Sequence, residues 1–427
     1  MAGLPRALAP LRHAHYRLLA ASMVLSLLSA GLWAIAVVWQ VVALGGGPPA
    51  LSLVTGLGAG GMLASTLLGG ALADRLPQRH ILLAVALVQT LGTAVVAALS
   101  LTGLLALWQL AAVALACGLA NGVYYPAYSA LVPALLPEDQ LLAANGLEGT
   151  MRPVLYQAAG PAVAGAVVAA TSPGVALALS AAAALGAAGC VALLAATPVR
   201  RDRGGGHPVR GLFTDMAEGF RYMVRTPWLL ATLLFASLML LVMIGPFEVL
   251  SPFAIRDRAG GGPFEHALVL AAFGIGGAAG SLTVASLRLP RRYLTVMNLL
   301  WGLGCVPLVV FGLTTELAVM IGAGLVTGAT MQAGMVIWGT LLQRRVPPAL
   351  LGRVSSLDFF VSTAFMPLSM ALAGPVSELI GLTATFLVAG LVPPVLAAVA
   401  VLAARLPADE LAHPLDRRPA DEVSTPA

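Results

Sequence analysis

The chain has no lysine and little charge of either sign: Asp, Glu, Lys and Arg make up 10% of its 427 residues, where a soluble domain carries about a quarter. A surface so poor in charge is not one that water covers, which excludes a soluble enzyme. Histidine is scarce as well. His13, His15, His80, His207, His266 and His413 all read as loop or tail residues. No set of His, Asp and Glu at one depth then offers a metal site, a cofactor site or a membrane-embedded active centre. The three cysteines, Cys117, Cys190 and Cys305, lie in apolar stretches as small packing residues, and no disulfide is inferred. No glycine-rich phosphate loop is present, so ATP is not the direct energy source. The 23 basic residues, all Arg, are not gathered into aromatic-interleaved patches, which argues against nucleic acid as a partner.

What is abundant is apolar surface, at 59% of residues. A bilayer core about 30 Å thick takes roughly 20 such residues per helix. Segments of that length fall near 17–44, 50–73, 80–102, 104–134, 140–170, 174–196, 228–255, 264–287, 292–313, 316–342, 355–379 and 382–404. The first is too long for a signal-peptide core and lacks a cleavage pattern. Twelve spans fill the chain and define an all-α, multi-pass membrane protein. With a cytoplasmic N-terminus, only Arg256 and Arg258 fall on the outer side, so the positive-inside rule puts both termini in the cytoplasm. Arg without Lys, together with abundant Ala, Gly and Pro, suggests a GC-rich bacterial genome and hence a bacterial inner membrane.

The longest interruption, 197–227, opens with a basic, glycine-rich stretch. It continues with Phe213, Met216, Phe220 and Met223 at helical spacing, the pattern of an amphipathic helix lying on the membrane surface. It divides the chain into a first bundle at 1–196 and a second at 228–404, followed by a polar tail at 405–427 that is expected to be disordered. At an offset of 214 residues the halves repeat each other: Val132-Pro133 matches Val346-Pro347, and Gly160-Pro161 matches Gly374-Pro375.

Between the second and third segments the chain reads Gly69-Gly70-Ala71-Leu72-Ala73-Asp74-Arg75-Leu76-Pro77-Gln78-Arg79. This resembles the loop signature of the major facilitator superfamily, with Pro77 where the family usually has Gly. Glycines such as Gly70 allow close helix contact, while Asp74 near a helix end, with Arg75 and Arg79 on the cytoplasmic side, is suited to latch an inner gate. The corresponding loop of the second half, Leu287 to Arg292, keeps the basic residues and loses the acid. Tyr125-Pro126-Ala127, Leu142 to Leu147, Gly160 to Gly165 and Gln343 to Pro347 resemble the efflux branch that contains enterobactin-type siderophore exporters and macrolide or multidrug exporters. The resemblance covers the whole chain. It implies two pseudo-symmetric six-helix bundles working as a monomer, and a cavity lined by helices 1, 4, 7 and 10. The Gly160-Pro161 pair resembles part of the antiporter signature, although Tyr156 departs from it and the Arg characteristic of helix 4 is absent.

Ionisable groups at membrane depth are costly, which makes each of them a candidate for function. Glu148 and Arg152 stand four apart, the spacing of a helical ion pair, and Tyr156 continues their face. The same pair also fits a purely structural lock between helices. Glu248, between Pro246 and Pro252, is expected toward the outer surface, and Asp358 is expected to cap the start of helix 11. Ser22, Ser26, Ser29, Trp33 and Gln40 share one face of helix 1, and Asn121, Tyr124 and Tyr128 one face of helix 4. The resemblance adds Met239 and Met243 of helix 7 and Gln332, Met335 and Trp338 of helix 10. Such a cavity suits a bulky amphipathic small molecule, although Ser and aromatic residues are equally common in helix packing and at interfaces. The expected function is secondary active export of a drug-like or siderophore-like compound by proton antiport. An importer or lipid flippase of the same fold, and a membrane-embedded sensor or enzyme, are the alternatives.

Overall fold

The computed structural model describes residues 6–137, 140–195, 220–287 and 289–415; the side chains at 6–7, 67–75, 142, 348–349, 352–353, 356 and 359 are outside the description. The first half contains α1 (Ala14–Ala43), α2 (Pro48–Arg75), α3 (Gln78–Leu101), α4 (Leu107–Leu135), α5 (141–170) and α6 (Pro173–Ala192). The second contains α7 (Pro227–Ala259), α8 (Pro263–Ser286), α9 (Tyr293–Leu313), α10 (Leu317–Arg345), α11 (Pro348–Ile380) and α12 (Leu382–Ala403). Among the described residues, eleven of these helices are long and apolar enough to cross a membrane, and α2 is the twelfth. Helices are the natural solution, because lipid offers no partner for a backbone N–H or C=O left unbonded.

The ends of the helices are set by local chemistry. The Ser172 hydroxyl accepts from the Val175 N–H at 3.4 Å, and the Glu265 carboxylate accepts from the Gly262 N–H at 2.7 Å. Gly260 (φ 63°) and Gly381 (φ 85°) turn the chain out of α7 and α11 in a conformation other residues rarely adopt. The apolar pattern puts the start of helix 11 at 355, but α11 begins at Pro348, where proline's fixed φ favours a first helical turn.

Within each half the closest packing uses small residues four apart. Gly118 and Gly122 of α4 press onto α2 at Gly58 and Met62, while Gly276 and Gly280 of α8 press onto α10 at Leu325 and Ala329. The halves touch along two seams, α2 with α11 and α5 with α8. Gly374 lies on the Pro48–Pro49 backbone and donates its N–H to the Ser52 hydroxyl at 2.7 Å. Gly165 lies against Pro263 and Ala267. These contacts sit at the helix ends remote from the two termini, so the halves are drawn together on that face.

Two expectations change. Residues from 405 do not run on as an irregular tail: Leu406–Ala412 forms a helix, α13, and only 416–427 lie outside the description. Glu410 anchors it by accepting from the Leu294 N–H (2.9 Å), the Thr295 N–H (3.1 Å) and the Thr295 hydroxyl (2.7 Å) at the start of α9. Arg345 forks onto Asp409 with two bonds of 2.9 Å while stacking 4.6 Å over the Trp228 ring. His266 is not a loop residue; it is buried within α8. Phe213 and Met216 lie outside the described residues; of the same stripe, Phe220 is exposed while Met223 is buried.

Candidate substrate cavity

A cavity of about 610 Å³ opens in the first half, on the side of the termini. Its wall comes from the terminus-side portions of α1, α3, α4, α5 and α6, with Met62 of α2 at mid-depth. Ser22 and Ser26 of α1 face Gln89 of α3 and Asn121, Tyr124, Tyr125 and Tyr128 of α4 across it. Tyr124 and Tyr128, one turn apart, stack with centroids 5.8 Å apart.

The α5 wall carries the charge. Arg152 donates to the Glu148 carboxylate at 2.8 Å, the pair that their spacing implies, and its guanidinium lies 5.8 Å from the Tyr125 ring centre. Glu148 is the more enclosed partner and Arg152 the more open one, so the cavity meets a cation already neutralised on one side. Tyr156 completes the same wall.

Helix α5 is irregular at this point. Pro153 lacks an N–H, and the backbone relaxes into a π-helical turn over Pro153–Ala159 in which the Gly160 N–H donates to the Leu155 carbonyl. Past the turn, Gly160 meets Gly31 of α1 so closely that a methyl group there would lie 2.7 Å from Gly31 Cα, with buried Pro161 beside it. Helix α7 repeats the device: Pro246 opens a π-helical turn over Pro246–Leu250, and Glu248 is its exposed member. Because α7 runs on to Ala259, Glu248 stands deeper than its spacing suggested.

The remaining residues expected at the site are distributed as follows. Trp33 packs onto the apolar core, and Gln40 is buried, accepting from the Ser100 hydroxyl at 2.6 Å. Ser29 lines the cavity as well and is clamped to Ser180 of α6. Met239 and Met243 are buried in the second-half core, Met335 is exposed, and Gln332 lies against Gly277 of α8. Trp338 is buried between Trp228 and Trp301, with ring centres 6.2 Å and 6.3 Å away, and donates its indole N–H to Asp358 at 2.9 Å. Asp358 therefore does not cap α11; it is well inside the helix and also accepts from Ser362. Gly374 is on the α2 seam and Pro375 is exposed beside it. Arg79 donates to the Ala192 carbonyl at 2.6 Å, tying the start of α3 to the end of α6, while the side chains of Gly70, Asp74 and Arg75 lie outside the described residues. The sequence reading missed Tyr125 and Gln89 as cavity residues; a polar residue inside an apolar span was the available signal.

Two six-helix halves, drawn together on one face with a cavity opening on the other, are the build of a major facilitator transporter. Solved structures agree in fold: the nucleoside transporter NupG superposes with TM-score 0.72 at 14% identity, covering 91% of this chain and 99% of that one. A bacterial homologue of the human lysosomal transporter Spinster, in an inward-facing unoccupied conformation, gives 0.66 at 16% identity, covering 92% and 98%. The sequence matches the family described as "Transmembrane secretion effector" over residues 5–426, and the chain belongs to it. Among its relatives are the multidrug efflux pump Tap of Mycolicibacterium fortuitum, 30% identical with 88% of this chain and 92% of that protein covered, and macrolide efflux protein A of Streptococcus pyogenes, 23% identical with 87% and 91% covered. It is thus an efflux transporter of the major facilitator type, a multi-pass membrane protein and not an enzyme.

Proposed function

We propose that the protein is a monomeric secondary active exporter of small amphipathic compounds in a bacterial inner membrane, with both termini in the cytoplasm and proton entry as the driving force. The bundles at 1–196 and 228–404, joined by the 197–227 linker, rock against each other. The observation that carries this reading is the aromatic, partly polar cavity of about 610 Å³ on the terminus side, combined with seams that meet on the opposite face. In the proposed orientation this is an inward-open state, ready to load from the cytoplasm. Drug-like cargo is supported by the rings of Tyr124, Tyr125 and Tyr128 and by the names of the relatives. Glu148 and Arg152, in the wall, are the charged groups proposed to respond to protons and cargo.

The test is export of a fluorescent drug from proteoliposomes with and without an imposed proton gradient. Gradient-dependent, ionophore-sensitive export supports the reading; retention that does not change with the gradient sinks it.

A further inference from the structure

The two π-helical turns belong to different halves of the molecule, yet both reach the middle of α8. Gln157, in the α5 turn, backs onto Gly274 of α8: a side chain there would begin 3.1 Å from Gln157 Cβ. Phe247, in the α7 turn, packs its ring 4.9 Å from that of Phe273. Phe273 and Gly274 are consecutive and lie midway along α8, so Tyr156–Gln157 and Phe247–Glu248 share one depth.

A π-turn inserts an extra residue into the helical row, and such turns are frequent at functional sites. Here each one swings a polar group outward. In the α7 turn Pro246, Phe247, Val249 and Leu250 are buried while Glu248 is exposed. In the α5 turn Tyr156 is 42% exposed. Tyr156 of the first half and Glu248 of the second therefore stand at the same level of α8, beside Gln157 and Phe247.

The chemistry of this spot is one-sided. Among the described residues Glu248 makes no hydrogen bond or ion pair, and the side-chain oxygen of Gln157 is buried with no partner. The nearest cation on the same wall, Arg152, is already bonded to Glu148. A carboxylate at membrane depth with no cation of its own, beside an unbonded carboxamide oxygen, leaves a demand for a cation bearing N–H groups. The ring of Tyr156 adds a face on which such a cation or an attached aromatic group can rest.

We infer that Glu248, Tyr156 and Gln157 form a subsite, assembled only where the two halves meet, for the protonated amine of an aromatic amine cargo. This deepens the export reading and rests on it. The site takes an ammonium in preference to a neutral amide of the same shape, because only the ammonium answers the carboxylate.

The test uses the full chain, purified into lipid nanodiscs, and two probes that differ in one group: dansylcadaverine, a protonated amine, and its neutral N-acetyl derivative. Fluorescence titration is expected to show the amine binding about tenfold or more tighter than the amide, the scale of one charge-assisted hydrogen bond. Glu248→Gln collapses this preference toward parity, and Glu248→Asp keeps it. Binding of the amide serves as the control for folding. Equal affinities in the wild type, no saturable binding of the amine, or a preference that survives Glu248→Gln each overturn the subsite. Transport of the same probes in proteoliposomes separates this inference from the export reading. Equal gradient-driven export of both probes keeps the exporter and sinks the subsite, whereas selective binding with no export of either keeps the subsite and sinks the exporter.

Discussion

Replacing Gly374 by alanine adds one methyl group to α11 at the seam with α2. Built on the present backbone, that methyl group lies 2.5 Å from the Pro48 carbonyl carbon and oxygen and 2.6 Å from Pro49 Cα. These neighbours are backbone atoms and cannot swing aside as a side-chain tip could, so the start of α2 must shift outward. Overpacking of this kind costs about 1–3 kcal/mol. The same shift lengthens the 2.7 Å bond from the Gly374 N–H to the Ser52 hydroxyl, worth about 1 kcal/mol. Alanine's better helix propensity, about 0.5–1 kcal/mol, stabilises α11 whether the seam is closed or open and so drops out of the comparison. The closed seam should therefore lose roughly 1–4 kcal/mol relative to any state in which α2 and α11 part, a shift of about fivefold to several hundredfold in population. Distances between spin labels on Leu44→Cys and Leu379→Cys, with Cys117, Cys190 and Cys305 replaced, report that population. Both label sites are exposed. A distance distribution that stays the same in a well-folded Gly374→Ala protein refutes the reasoning.

Two further outcomes can be checked. Glu148→Gln and Arg152→Ala each leave one member of the 2.8 Å pair unmatched in the cavity wall, and either should lower transport of a loaded drug about tenfold or more while the protein still elutes as a single species; normal transport by both would remove the pair from the mechanism. Glu410→Ala strips three hydrogen bonds from the start of α9 and should lower stability by about 1–3 kcal/mol, read as a fall in melting temperature in detergent, whereas an unchanged melting curve would mean that α13 does not hold the second half together.

Much of the fold was legible because a bilayer dictates the length of a span. The apolar runs locate twelve helices, and the 30-residue α1 and 29-residue α10 begin and end near where the pattern puts them. The Glu148–Arg152 pair was legible for a similar reason, since four residues in a helix bring two side chains together. What could not be read was which way a helix faces. Met239 and Met243 sit on a helix that is apolar all round, where no stripe separates core from cavity, and the structure buries both. Gln332 and Trp338 looked alike as polar-tipped residues on one helix, yet one rests on a glycine of α8 and the other is committed to Asp358. Asp358 itself was misread because the start of α11 was placed too late. Pro153 and Pro246 signal a break in a helix, but not that the ladder resumes with an extra residue, and that residue decides where Tyr156 and Glu248 point.

The π-turns also make the two seams unequal. The repeat at 214 residues pairs α5 with α11 and α7 with α1, but α11 and α1 are regular helices where α5 and α7 are not. A duplicated ancestor would have had two identical sides, whereas this molecule has specialised them. The first seam seats Gly374 on the Pro48–Pro49 backbone, with the α7 turn packed against α2 and α11 beside it, and the second seats the α5 turn against α8. Changes that alter which compounds are carried should therefore gather along α5, α7 and α8, and changes that alter how fast the protein cycles along α2 and α11.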